Sequence, residues 1–237
     1  MPSYSSVFEH LTNQSVFGVA LTLGAFLVAR SLQARRPSSL THPLLTSSMA
    51  IIVILKLLGV DYDAYNRGGQ LISFFLGPAT VALAVPLYRQ STKIRRQKAL
   101  ILGSCTAGAL VAMVVAGGVI KVLSDDTHLV LSMIPKSVTT PIAMEISRII
   151  GGVPTLTSVF VVITGLLGAM FGPEILAMAN ITSPEAVGLA LGTAAHGIGT
   201  GRALQEWEEQ GAYSGLAMGL AGLIVTILAP LLAALLE

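Results

Sequence analysis

Runs of apolar residues, each long enough to enter or cross a lipid bilayer and separated by short polar loops, constrain this chain more than anything else in it. A hydrocarbon core is about 30 Å thick and takes roughly 20 helical residues to cross. Eight blocks stand out: Ser15–Leu32, Pro43–Gly59, Leu71–Tyr88, Ala99–Leu123, Leu129–Ile149, Val153–Phe171, Ala186–Ala203 and Gly215–Leu236. Backbone groups inside hydrocarbon must bond within the protein, which leaves helices or closed barrels. The blocks are too long for barrel strands, so the expected fold is all-α: one polytopic helical bundle of about eight spans over residues 1–237. Composition agrees, since 53% of residues are hydrophobic and 11% charged, against about 25% charged in a soluble domain. No hydrophilic stretch is long enough for a soluble domain, and no nucleic-acid partner is expected.

Basic residues gather in two loops. Arg30, Arg35 and Arg36 follow the first block; Arg89, Lys93, Arg95, Arg96 and Lys98 lie between the third and fourth. Basic loops stay cytoplasmic, which predicts an external N-terminus and, for eight spans, an external C-terminus. Cys105 is the only cysteine, so no disulfide framework is expected; its expected role is packing in the fourth span. His10, His42 and His128 have no ligand spacing, and neither a metal site nor a cofactor is expected. There is no HExxH pair, GxSxG elbow or P-loop, and the chain reads as a non-enzyme.

Polar breaks inside the apolar blocks are the candidate site. The tract Pro135-Lys136-Ser137-Val138-Thr139-Thr140-Pro141 puts two helix breakers six residues apart in the fifth block. A half-helix starting near Ser137 or Thr140 would offer free N–H groups and hydroxyls to an anion, with the charge of Lys136 added. Alternatively, Lys136 snorkels to the interface and the hydroxyls bond back to their own helix. Glu145 and Arg148 are three residues apart and are read first as an ion pair, with Glu145 kept as a proton-coupling candidate. In the seventh block, Gly192 to Arg202 holds Gly192, Gly197, Gly199 and Gly201 around His196 and Thr200. Those glycines serve either close helix contact or unwinding. His196 titrates near neutrality in its unperturbed form, and Arg202 can grip a carboxylate by two hydrogen bonds or act as an inside anchor. In the third block Pro78, beside Thr80, and Pro86 produce either a kink or a functional break. Glu206, Glu208 and Glu209 read as a solvated loop.

A shift of 115 residues lays the first four blocks on the last four and aligns Leu76-Gly77-Pro78-Ala79 with Leu191-Gly192-Thr193-Ala194. Half-repeats over 15–123 and 129–237 are therefore considered, parallel if every block spans and inverted if one re-enters. Transporters often place broken helices at such repeat interfaces.

The tracts Pro135 to Met144 and Ala195-His196-Gly197-Ile198-Gly199-Thr200-Gly201-Arg202-Ala203 resemble the signature stretches of the LrgB/CidB family. So do Pro78 with Val81-Ala82-Leu83-Ala84, Pro86-Leu87-Tyr88, and the pattern Tyr62, Tyr65, Gly68. The resemblance covers nearly the whole chain. His42 stands where asparagine is expected and Gly201 where alanine is. Two functions are implied by it. Bacterial members are antiholin-like modulators of murein hydrolase export or activity and of lysis. Other members resemble carriers of pyruvate, acting with a small LrgA/CidA-type membrane partner, or of glycolate and glycerate in the plastid.

The residues favour the carrier, since a small carboxylate needs a positive group, helix N-termini and hydroxyl donors. The expected substrate contacts are Pro78, Thr80, Pro135, Lys136, Ser137, Thr139, Thr140, Pro141, His196, Gly197, Gly199, Thr200 and Arg202, with His196 and Glu145 as proton-coupling candidates. An inner-membrane homodimer with an LrgA-like partner is the expected assembly.

Overall fold

The computed structural model of the chain describes residues 15–36, 38, 41–82 and 84–236. It divides into two compact units, residues Met1–Ala82 and Leu83–Glu237. Among the described residues all regular structure is helical, in twelve helices.

In the first unit these are α1 (Ser15–Arg35), α2 (Pro43–Leu58), α3 (Tyr62–Phe74) and α4 (Leu76–Ala82). Pro43 opens α2, where a missing N–H costs nothing, and Gly59 ends it at φ +64°. The Asp61 carboxylate accepts from the Tyr62 N–H at 2.8 Å and caps α3. Helices α1 and α3 touch through glycine. A Cβ on Gly68 would fall 2.3 Å from the Ser15 carbonyl oxygen and 2.7 Å from the Gly18 Cα. Such backbone contact is how membrane helices associate where burial from water contributes nothing. The third block does break: α3 stops at Phe74, and Pro78 falls in the first turn of α4, where its missing N–H is harmless. The side chain of Thr80 and residue Leu83 lie outside what is described, as do His10 and the chain's first residues.

The second unit holds α5 (Ala84–Arg89), α6 (Ser91–Arg96), α7 (Lys98–Leu123), α8 (Thr127–Met133), α9 (Thr140–Ile149), α10 (Pro154–Met178), α11 (Pro184–Glu206) and α12 (Glu208–Leu236). Its fifth block does not run through. His128 Nδ1–H donates to the Gly151 carbonyl at 2.8 Å. The Val153 N–H donates to Ser132 Oγ at 2.7 Å. Thr157 Oγ1–H donates to the Ser132 carbonyl at 2.9 Å, and shares a 2.7 Å bond with Ser147 Oγ. In a continuous helix Ser132 and Ser147 would lie about 22 Å apart. Here they meet on one threonine, so α8 and α9 are the two arms of a hairpin whose tip is the tract 134–139.

The seventh block also turns back, inside α11, at His196 (φ +42°, ψ −131°). A Cβ on Gly199 would sit 2.5 Å from the Leu191 carbonyl oxygen, whereas eight helical residues span about 12 Å. Ser214 of α12 meets both arms: a Cβ on Gly192 would lie 2.1 Å from its carbonyl oxygen, and Thr200 Oγ1 is 3.0 Å from its Oγ.

The expected count of about eight spans is therefore not what the elements show. Among the described residues five segments are long and apolar enough to cross a membrane: Ser15–Arg35, Tyr62–Arg89, Lys98–Leu123, Pro154–Met178 and Glu208–Leu235. Helix α2 is a shorter apolar helix of 16 residues, and the fifth and seventh blocks fold back on themselves. The 115-residue shift would pair continuous α1 with the first hairpin. What recurs in the structure is shorter, a hairpin followed by a long helix, first over 127–178 and again over 184–236.

Ser132, Ser147 and Thr157 are all fully buried, so their network is sensitive to loss of one hydroxyl. Thr157→Val should cost about 1–3 kcal/mol, because buried acceptors are left without a partner. Thermal unfolding in detergent should show a clear fall in Tm for it and a near wild-type value for Thr157→Ser.

Candidate functional site

The order of contacts along α10 fixes how the hairpins are arranged. Thr157 touches the base of the first hairpin. Val161 accepts at its carbonyl from His196 at the second tip, at 3.0 Å, and its side chain belongs to the buried cluster containing Ile134 and Val138 of the first tip. A Cβ on Gly165 would strike the His196 ring at 2.8 Å, one on Gly168 the Ala195 Cβ at 2.5 Å, and one on Gly172 the Leu191 side chain at 2.8 Å. Leu176 packs on Val187, Leu191 and Ala203, deep in the arms of the second hairpin. The hairpins thus run from opposite ends of α10 toward Val161, where the second tip bonds the backbone and the cluster holding the first tip includes the side chain. The stretch from Thr157 to Leu176 is about 28 Å long, close to the hydrocarbon thickness. Each returning arm, α9 and 197–206, has ten residues and reaches about 15 Å.

Helix α12 repeats this order in reverse. Gly188 lies against Gln210, and Thr200 against Ser214 and Met218. Further along, Gly222 approaches Ile142, and Ala221, Val225, Ala229 and Ala233 join the cluster around the first hairpin. Helix α7 spans both levels: Thr193 Oγ1–H donates to Cys105 Sγ at 3.6 Å, and Ala109 and Met113 belong to the buried cluster that includes the first tip. The buried position expected for Cys105 is borne out, with a partner from the second hairpin.

At the first tip Pro135, Ser137 and Val138 are buried, while Lys136, Thr139 and Thr140 are partly so. Lys136 Nζ donates to Ser137 Oγ at 3.4 Å. Ion pairs join Arg89 to Glu208, Lys93 to Glu209, Glu145 to Arg148 and Arg202 to Glu206, and among the described residues Lys136 has no acidic partner. Thr139 is the N-cap of α9 with no side-chain cap bond, and Pro141 opens the helix.

At the second tip His196 and Thr200 are buried. A carbonyl only accepts, so the His196 proton sits on Nε2, facing Val161, and Nδ1 is the other tautomer's position. Thr200 Oγ1–H donates back to the His196 carbonyl at 2.8 Å. The backbone at His196 lies where glycine is favoured, a conformation costing roughly 1–3 kcal/mol and kept only when surroundings enforce it. The returning arm of each hairpin starts at its tip, so both present a helix N-terminus, the partly positive end, toward the shared level.

Other expected residues fall elsewhere. Arg202 pairs with Glu206 near the base of the second hairpin, away from the tip, so its guanidinium is already engaged. Glu145 pairs with Arg148 at 2.8 and 2.9 Å with both side chains exposed, as its spacing predicted. Gly197 and Gly201 are exposed, Gly199 is buried against Leu191, and Pro141 is exposed. Pro78 belongs to the first unit. Glu208 and Glu209 are tied to the basic loop through Arg89 (2.8 Å) and Lys93 (2.6 Å). The hydrogen bond and charge of Glu209 raise the Lys93 ammonium above the ordinary lysine range. The residues that lock the hairpins were not singled out from sequence: His128, Ser132, Ser147, Thr157, Val161 and Ser214. Four of these are lone hydroxyls in or beside apolar blocks, which was their only signal; His128 bonds a backbone carbonyl and Val161 offers one, and neither partner can be read from residue type.

A multi-pass helical membrane protein with two opposed helical hairpins, one carrying a lysine at its tip and the other a histidine, is the class this geometry defines. The chain belongs to the LrgB-like family, whose model matches residues 22–235. It is 33% identical to the holin-like protein CidB of Staphylococcus epidermidis over 92% of this chain and 96% of that one. The CidB of Staphylococcus aureus is 32% identical with the same coverage. The protein YwbG of Bacillus subtilis is 37% identical over 92% of this chain and 96% of its own length. No solved structure matches the chain.

Substitutions at His196 separate its two roles. His196→Ala removes the side-chain donor from the Val161 carbonyl, which keeps its helical partner, and should cost about 1 kcal/mol. His196→Gly loses the same bond but relieves the backbone, so it should be the milder by about 1 kcal/mol, read from thermal unfolding in detergent.

Proposed function

We propose that this chain is a secondary carrier or facilitator of small monocarboxylates of the pyruvate, glycolate or glycerate type, working with an LrgA/CidA-like membrane partner. One observation carries the reading: Lys136 is a partly buried cation without an acidic partner, at the level where two opposed hairpin tips meet. A lysine at bilayer depth is costly unless paired or solvated, and a substrate carboxylate supplies the missing charge. Ser137, Thr139 and Thr140 donate hydrogen bonds from the first tip. The N-terminal end of each returning arm adds favourable potential. His196 Nδ1 is the position that takes up a proton in coupled movement. Glu145, already paired with Arg148, is the weaker candidate.

Opposed hairpins also provide a route from each side to one site. Opening the first hairpin exposes Lys136 to one compartment, and opening the second exposes it to the other, as alternating access requires. The ion pairs of Arg89 and Lys93 place the basic loop beside the start of α12. With that loop cytoplasmic, the second hairpin enters from the cytoplasm and the first from outside; the same rule applied by itself to Arg30, Arg35 and Arg36 puts the N-terminus outside. The proposed location is the inner membrane, as a homodimer. The hairpin-plus-helix unit seen twice, entering from opposite ends, supports an inverted repeat.

The second reading is an antiholin-like regulator of murein hydrolases and lysis. It is favoured by the name holin-like borne by the CidB relatives. In it, the glycines of the second hairpin serve partner contact.

Uptake of labelled pyruvate, glycolate and glycerate into proteoliposomes, with and without the LrgA-like partner, decides between the two. The carrier reading expects uptake that falls at least tenfold in Lys136→Gln while the variant still folds. Absence of uptake under every condition overturns it. Lysis control unaffected by Lys136→Gln would favour the regulator.

A further inference from the structure

We infer that the acid held at Lys136 carries an aliphatic tail, and that this tail lies in a cleft along α7. The inference rests on the carrier reading and narrows its substrate class to monocarboxylates with a hydrocarbon body, 2-oxo acids of the pyruvate type and longer, over hydroxylated acids.

A cleft of about 350 Å³ runs beside the first tip, walled by Val111, Ala112, Val115 and Val119 of α7 and by Met133 and Lys136 of the hairpin. Its lining is aliphatic apart from the lysine and one thioether. The valines at 111, 115 and 119 recur every four residues on one face of α7 and are 61%, 55% and 51% exposed. They are thus left uncovered, while Ala109 and Met113 of the same helix are fully buried.

Charge complementarity names the occupant. The one polar end of the cleft is a cation with no acidic partner, so the guest has one negative group at that end and an apolar remainder. Size supports a tail: the cleft holds about twelve water volumes of ~30 Å³ each, and a three-carbon acid fills about four. Polarity sets the preference. Glycerate or glycolate would bring hydroxyls against valine and alanine, where a buried hydroxyl without a partner is costly. A methyl or isobutyl group meets no such penalty.

The experiment is competition against labelled pyruvate uptake in proteoliposomes, with the LrgA-like partner present. The competitors are 2-oxobutanoate, 4-methyl-2-oxopentanoate and glycerate. Each methylene taken from water should tighten binding about fourfold, so 4-methyl-2-oxopentanoate should inhibit at least tenfold better than unlabelled pyruvate, and glycerate worse. Ala112→Phe fills the cleft and should erase the advantage of the long acid over pyruvate. Val115→Thr, a milder change, should shift the balance a few-fold toward glycerate. Equal or better inhibition by glycerate, or an Ala112→Phe effect equal for all acids, overturns the inference and leaves the carrier reading standing. In parallel, thermal shifts of the purified protein are read with each acid, and with phosphatidylglycerol. Stabilisation by 4-methyl-2-oxopentanoate in the wild type but not in Ala112→Phe, without uptake, keeps the cleft and removes the carrier. Stabilisation by the anionic lipid alone means the face binds lipid, and the inference fails.

Discussion

The hydrogen bond from His196 Nε2 to the Val161 carbonyl joins the parts on which the rest depends. A chain that reverses inside a membrane leaves main-chain groups without helical partners, and hydrocarbon offers none. Reversal is therefore tolerable only against other protein. Val161 supplies a support for each tip. Its carbonyl takes the second tip, and its side chain lies in the buried cluster that includes Ile134 and Val138 of the first. The strained backbone at His196 is held from two sides, by this bond and by Thr200 Oγ1 on its own carbonyl. Closeness is then a matter of small side chains. Gly165, Gly168 and Gly172 on α10, and Gly188 and Gly192 on the hairpin, clear room that a Cβ would occupy.

Much of this was legible in the residues, and the missing part has a physical cause. Prolines at 135 and 141 and glycines around His196 mark where helices fail, and the structure breaks at both places. Hydropathy then misreads the result, because the two arms of a hairpin together have the length and apolarity of a span. The eight blocks are real helical segments, yet the fifth and seventh return toward their starting ends. Only long-range contacts such as Ser132 with Ser147 reveal it. Arg202 illustrates a second gap. Charge and position made it a plausible carboxylate clamp, but Glu206 lies one turn onward and takes the guanidinium first. The pair Glu145–Arg148 was readable because both partners sit on one helix face. His128 was not, since its partner is a backbone carbonyl 23 residues away.

The arrangement bears on function through symmetry of access. A single hairpin opens a site to one side. In the proposed carrier, two hairpins entering from opposite ends of one helix give each compartment its own door to the same lysine. A regulator of partner assembly needs packing surfaces, and the glycine faces could serve one. It has no evident need for a cation without a counter-charge at the depth where both tips meet. The cleft beside that cation extends the same logic, since its aliphatic wall and lone positive end describe a small amphiphilic acid.

The opposed hairpins are tested most directly by labelling single cysteines with an impermeant thiol reagent in oriented vesicles, in a Cys105→Ala background. Positions 125 and 153 flank the first hairpin, and 182 and 207 flank the second. The account predicts that 125 and 153 are labelled from one side, and 182 and 207 both from the other. Labelling of 125 and 153 from opposite sides would mean that the fifth segment spans the membrane, and would contradict it.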